Sequence, residues 1–253
     1  MQSHYIYGVV ESRRHPLAPD IRGLGGMPVY LIPWRTLAAL VSDAPTEGYP
    51  ADPAHATCHA AVVEAAMEGG PILPVRFGTL LGGTRRVISM LEEHSAAFEE
   101  SLQRLRGRVE MGLKVLWEAG VAPPVEDHLP SDLDPSAGPG RRYLFQRLGE
   151  EQTSEAIRVR GERLIQSIQT ALDPLTEAST LRRFATPRLL LDAAYLVSRE
   201  RLDMFCQGVE RLEERGSGLR YLLSGPWPPY NFAHPLPSGA AMTLSDAQTP
   251  RWS

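Results

Sequence analysis

Cysteine is scarce in this chain of 253 residues: there are two, Cys58 and Cys206, in segments that read as separate helices. Thiols so placed argue against a structural disulfide and for a reduced state. Long apolar runs are also missing. Nothing approaches the roughly 20 consecutive apolar residues that a bilayer-crossing helix needs, so no membrane span is expected. Residues 1–10 lack a basic segment followed by an apolar core and a small-residue cleavage site, which leads to the expectation of a cytoplasmic protein. Charge of one sign is lacking too: 26 Lys and Arg against 30 Asp and Glu leave a net charge of −4, and Arg85-Arg86, Arg141-Arg142 and Arg182-Arg183 are dispersed among acidic residues. Nucleic-acid binders concentrate basic surface, so nucleic acid is not an expected partner.

The familiar catalytic signatures are absent. No Gly-x-Ser-x-Gly elbow occurs. Gly82-Gly83-Thr84 has no P-loop lysine, and Gly23-Leu-Gly-Gly26 precedes a strand instead of joining a strand to a helix, so neither cradles phosphate in the usual context. His55-Ala-Thr-Cys-His59 sets two histidines one helical turn apart, but the glutamate of a zinc-protease helix and a nearby third ligand are missing. No metal, cofactor or catalytic set is expected, and both cysteines read as structural.

What is present is an ordinary globular composition, 43% apolar and 22% charged, long enough for two small domains. His4 to Val10, Val29 to Ile32 and Leu37 to Val41 read as strands from their β-branched and aromatic content. Asp52-Pro53 supplies an N-cap followed by a first-turn proline for a helix ending at Gly69-Gly70. Pro71 to Leu81 reads as a fourth strand, held to an edge or bulge by Pro74. Val87, Leu91, Phe98, Leu102 and Leu105 form one stripe of an amphipathic helix that starts at Thr84. Val109 to Trp117 alternates with period two, as a half-buried strand does. After a stretch rich in proline and glycine come a long helix over 141–172, a buried strand at Leu189 to Val197, a helix with Leu202, Phe205, Val209 and Leu212 as its stripe, and a final strand from Leu219. The fold class is α+β, with a domain over 1–118, a linker over 119–140, a second domain over 141–232 and a loosely packed tail over 233–253.

Two stretches stand apart from generic core. In Leu73-Pro-Val-Arg-Phe-Gly-Thr79, Arg76 occupies an otherwise apolar strand, so its guanidinium either reaches solvent or pairs with a carboxylate such as Asp43 or Glu64. In Ser224-Gly-Pro-Trp-Pro-Pro-Tyr-Asn-Phe232, three prolines hold Trp227, Tyr230 and Phe232 in fixed directions, as suits a domain-closing plug or a partner-binding surface.

These stretches, with Tyr5-Ile-Tyr-Gly-Val-Val10, Leu37-Ala-Ala-Leu-Val-Ser-Asp43 and the fuller block Gly70-Pro-Ile-Leu-Pro-Val-Arg-Phe-Gly-Thr79, resemble in order the characteristic blocks of the gas vesicle protein F/L family. The resemblance implies two α+β domains of ferredoxin-like character, each a mostly antiparallel sheet with helices on one face. It implies an accessory or minor structural protein of gas vesicle formation that is not an enzyme, acting in the cytoplasm or at the vesicle. The implied partners are the hydrophobic shell subunit, gas vesicle protein A, and other gas vesicle accessory proteins. Candidate contact residues are Arg76, Phe77, Trp227, Pro228, Pro229, Tyr230 and Phe232. The alternative is a small-molecule-binding or enzymatic protein that uses Arg76, His55 and His59.

Overall fold

A computed structural model of the chain describes residues 3–12, 15–17, 20–118, 157–184, 186, 188–215 and 218–233. These residues divide into two compact units. One takes the described chain up to Glu110 together with the segment from Pro226 onward, and the other takes Met111 to Gly225. The expected linker, the first half of the expected long helix and nearly all of the expected tail lie outside the described residues.

The first unit is built on β1 (Ser3–Glu11), β2 (Val29–Trp34), β3 (Leu37–Ala44), α1 (Pro53–Gly69), β4 (Ile72–Pro74), β5 (Leu80–Gly82), α2 (Gly83–Glu93) and α3 (Ser95–Leu105). Its sheet runs β2-β3-β1-β4, with β5 also on β1. Eight consecutive residues of β1 are buried, the pattern of a central strand covered on both faces. Tyr5 and Tyr7 meet His59 of α1, while His4, on the opposite face by the alternation, reaches Thr84 of α2. The β2–β3 hairpin closes through Arg35-Thr36, with Arg35 at φ 53, the left-handed backbone that tight hairpins demand. Asp52 caps α1 by accepting the His55 backbone N–H at 2.9 Å, and Pro53 stands at the first turn.

Two segments depart from the sequence expectation. The single helix expected from Thr84 is two, broken at His94, whose φ −114 and ψ 14 leave the helical region. The expected strand at Pro71 to Leu81 is two short strands on the same edge of β1. Between Tyr5 and Gly8, β1 advances three residues (8 − 5) while its partner moves six, Leu80 to Pro74 (80 − 74), so three residues are surplus. Val75 and Thr79 remain in the ladder, through Val75 N–H to the Tyr7 carbonyl at 2.9 Å and Ile6 N–H to the Thr79 carbonyl at 3.0 Å. Arg76, Phe77 and Gly78 are therefore extruded as a bulge, and Arg76 is not on a strand.

The second unit holds β6 (Arg108–Trp117, which enters it at Met111), a helix α4 over 157–172, β7 (Ala178–Arg183), β8 (Leu189–Ser198), α5 (Leu202–Glu214) and β9 (Leu219–Trp227, which leaves it after Gly225). The sheet order β7-β8-β6-β9 with this element order is the β-α-β-β-α-β arrangement of ferredoxin-like folds. Alternate residues Met111, Leu113 and Val115 of β6, and Leu191, Ala193, Tyr195 and Val197 of β8, face Ile165, Ile168 and Leu172 of α4 and Phe205, Val209 and Leu212 of α5. Each buried Val, Leu, Ile, Phe or Met side chain among them contributes about 1.5–3 kcal/mol. The strand expected to close the first domain thus joins the second sheet, because its apolar face matches the α4 and α5 stripes. Residues 226–232, expected in the second domain, group instead with the first unit.

Candidate docking surface

The first unit carries a cluster of aromatic rings around His59, which is 3% exposed. The ring of Tyr7 stacks on it at 5.5 Å, and Tyr5 meets it edge-on at 5.6 Å. Phe77 from the bulge packs at 5.8 Å, and Tyr230 from the C-terminal segment at 6.5 Å. Two of the candidates, from segments far apart in sequence, therefore converge on one histidine.

The polar bonding around His59 fixes its proton. Its Nε2 lies 3.1 Å from the Val75 carbonyl, which can only accept, so Nε2 carries the hydrogen. In the neutral ring Nδ1 then accepts from the Tyr5 hydroxyl at 3.0 Å. The Tyr5 oxygen in turn accepts the Gly78 backbone N–H at 2.9 Å. Each group uses its capacity once, and the chain runs from one side of the bulge to the other. Burial draws His59 down to about 4, opposed by its bond to Val75, so the ring is neutral near pH 7. Desolvation pushes the Tyr5 hydroxyl up, which keeps it a donor. Gly78 sits at φ +86, where an L side chain is strained, and the Thr79 hydroxyl donates to the Arg76 carbonyl at 2.8 Å.

Arg76 is exposed on this bulge. Neither carboxylate named for it from sequence forms an ion pair with it among the described residues; Asp43 accepts instead from Tyr30 at 2.6 Å. Phe77 is half-buried, against Tyr5 at 6.0 Å and His59.

The C-terminal segment is anchored to the same unit. Pro228, Pro229 and Phe232 are buried, whereas Trp227 is 43% and Tyr230 38% exposed. Glu110, 7% exposed, accepts from the Asn231 backbone N–H at 2.9 Å and from Asn231 Nδ2 at 2.6 Å. Burial pushes the Glu110 carboxyl above its ordinary range, and the two Asn231 bonds pull it back. Arg104 donates to the Phe232 carbonyl. The Tyr230 hydroxyl is pushed upward, first by desolvation and then by the Glu64 and Glu110 carboxylates.

His55 and His59 do not form a ligand pair. His55 Nδ1 is 2.7 Å from Asp52, and both nitrogens of His59 are engaged internally. Among the described residues no group of three His, Cys, Asp or Glu could hold a metal ion. Cys58 and Cys206 are free and half-buried. No described helix is long and apolar enough to cross a membrane. Sequence reasoning missed Tyr5 and His59 as a bonded pair, since nothing local shows that a residue of β1 and one of α1 meet over the bulge.

The family profile described as gas vesicle synthesis protein GvpL/GvpF matches residues 3–234. Gas vesicle protein L of Streptomyces sp. is 31% identical over 90% of this chain and 92% of its own length. Gas vesicle protein F of the same strain is 31% identical over 91% and 99%. The crystal structure of gas vesicle protein GvpF from Anabaena sp. superposes with a TM-score of 0.75 at 25% identity, covering 92% of this chain and 97% of that one. The chain therefore belongs to the GvpL/GvpF family of gas vesicle synthesis proteins, which take part in gas vesicle formation.

Proposed function

We propose that the protein acts in gas vesicle formation by binding the hydrophobic shell subunit, gas vesicle protein A, as a non-catalytic accessory or minor structural component. The docking surface is the exposed part of the aromatic cluster with its neighbours along the chain: Arg76 and Phe77 on the bulge, and Trp227 and Tyr230 on the C-terminal segment. Pro228, Pro229 and Phe232 anchor that segment and do not themselves meet the partner. The observation that carries this reading is the convergence of Phe77 and Tyr230 on His59. Half-exposed aromatics on a rigid support, beside an exposed arginine, have the composition of an interface hot spot.

The partner supplies the reason for such a surface. A subunit destined to line a gas-filled space exposes apolar area before assembly and aggregates unless it is covered. Aromatic rings cover that area, and two anchored segments lose little conformational freedom on binding.

The test is capture of co-expressed gas vesicle protein A by the tagged full-length chain. The wild type retains the shell subunit. Phe77→Ala and Tyr230→Ala each weaken capture by about tenfold, as loss of an interface anchor does. Retention of the subunit by both variants at the wild-type level, or failure of the wild type to retain it, refutes the proposal.

A further inference from the structure

We infer that Tyr5 and His59 are positioning residues, which hold the Arg76-Phe77-Gly78 bulge in the one geometry that presents Phe77 to the partner. The inference rests on the docking surface proposed above.

Tyr5 is 0% and His59 3% exposed, between a central strand and its covering helix. Apolar side chains fill such a layer with no polar demand, and a buried hydroxyl and imidazole are unfavourable there unless every hydrogen bond is made. Apart from each other, the partners of Tyr5 Oη and His59 Nε2 are both backbone atoms of the β4–β5 connection, the Gly78 N–H and the Val75 carbonyl. These two atoms flank the extruded Arg76 and Phe77. The polar pair is thus addressed to the bulge and to nothing else.

The same two rings also hold the side chain of Phe77, edge-on to Tyr5 at 6.0 Å and to His59 at 5.8 Å. Backbone and side chain of the bulge therefore share one support. An edge strand could satisfy its ladder with an ordinary short loop. A loop whose backbone is bonded on both sides to a buried pair loses its alternative conformations, which is the condition for an aromatic contact residue to bind without an ordering cost. Tyr5 and His59 do not touch the partner; they act through Phe77.

A double-mutant cycle on shell-subunit capture tests this, using full-length protein. Tyr5→Phe keeps the ring and removes the hydroxyl, so the expected result is a loss of capture of about tenfold that vanishes in the Phe77→Ala background. The double variant then binds within about twofold of Phe77→Ala alone. A merely structural role predicts factors that multiply. If Tyr5→Phe does not yield folded protein, the same cycle is run with His59→Gln. Phe77→Ala weakening capture while Tyr5→Phe leaves it unchanged, or while the two losses multiply, overturns the inference and leaves the docking surface standing. Phe77→Ala leaving capture unchanged overturns the inference, and with Tyr230→Ala also unchanged it overturns the docking surface as well.

Discussion

Acid should weaken the first unit through His59. In the folded chain this imidazole titrates at about 4, drawn down by burial, whereas in the unfolded chain it titrates near 6.5. Between those values the unfolded chain binds more protons, so stability rises with pH across the window and is lost as pH falls from about 6.5 toward 4. At about 1.36 kcal/mol per pKa step, the difference of about 2.5 (6.5 − 4) amounts to about 3 kcal/mol by pH 4 relative to pH 7. His15, also drawn down by burial, acts in the same direction, and Glu110, pushed up, acts in the opposite one. Comparison with His59→Gln, which cannot titrate, isolates the single group. The assay is amide hydrogen exchange in β1 and α1, corrected for the intrinsic pH dependence of exchange. Wild type should lose about a hundredfold more protection than the variant between pH 7 and pH 4, the equivalent of about 3 kcal/mol. Equal losses in the two proteins would refute the assignment of a neutral, internally bonded His59.

Gly78→Ala forces an L residue to φ +86 and should destabilise the first unit by about 1–2 kcal/mol, seen as a lower urea midpoint. Glu110→Gln leaves one carbonyl oxygen where two carboxylate oxygens accept from Asn231; faster amide exchange at Asn231 and Phe232 is the expected outcome, and unchanged exchange would show that the segment is held by its prolines, Phe232 and the Arg104 bond. Phe205→Ala removes a fully buried ring from the second core and should cost about 3–5 kcal/mol, measured by exchange in β8 and α5. Arg182→Ala breaks an ion pair whose arginine side chain is 78% exposed, and a change in melting attributable to more than about 0.5 kcal/mol would contradict the view that this pair is weak.

Local rules wrote most of the elements legibly. β1, β2 and β3 follow from β-branched and aromatic runs, and α1 from the Asp52 cap, Pro53 and the closing glycines. The helix break at His94 was hidden because the apolar stripe continues across it from Leu91 to Phe98. β7 was missed because its residues are nearly all exposed, so an edge strand of Ala178 to Arg183 has no hydrophobic period to read. The rest concerns partners distant in sequence. The alternation of β6 gave its strand character but could not say that it pairs in the second sheet, and nothing near Tyr230 announces that its ring returns to His59. Arg76 and Phe77 were visible as an anomaly in an apolar run. The reason they are extruded, three surplus residues opposite β1 and a buried Tyr5–His59 pair beneath them, exists only in the register of the folded sheet.

The most direct test of the account is complementation in a gas-vesicle-forming host from which every F- and L-type copy has been deleted. The wild-type chain should restore vesicles, and the Phe77→Ala, Tyr230→Ala double variant, expressed at the same level and equally stable, should not. Full vesicle formation with the double variant would contradict the assignment of this surface, and normal vesicles in the uncomplemented deletion host would contradict a role in their formation altogether.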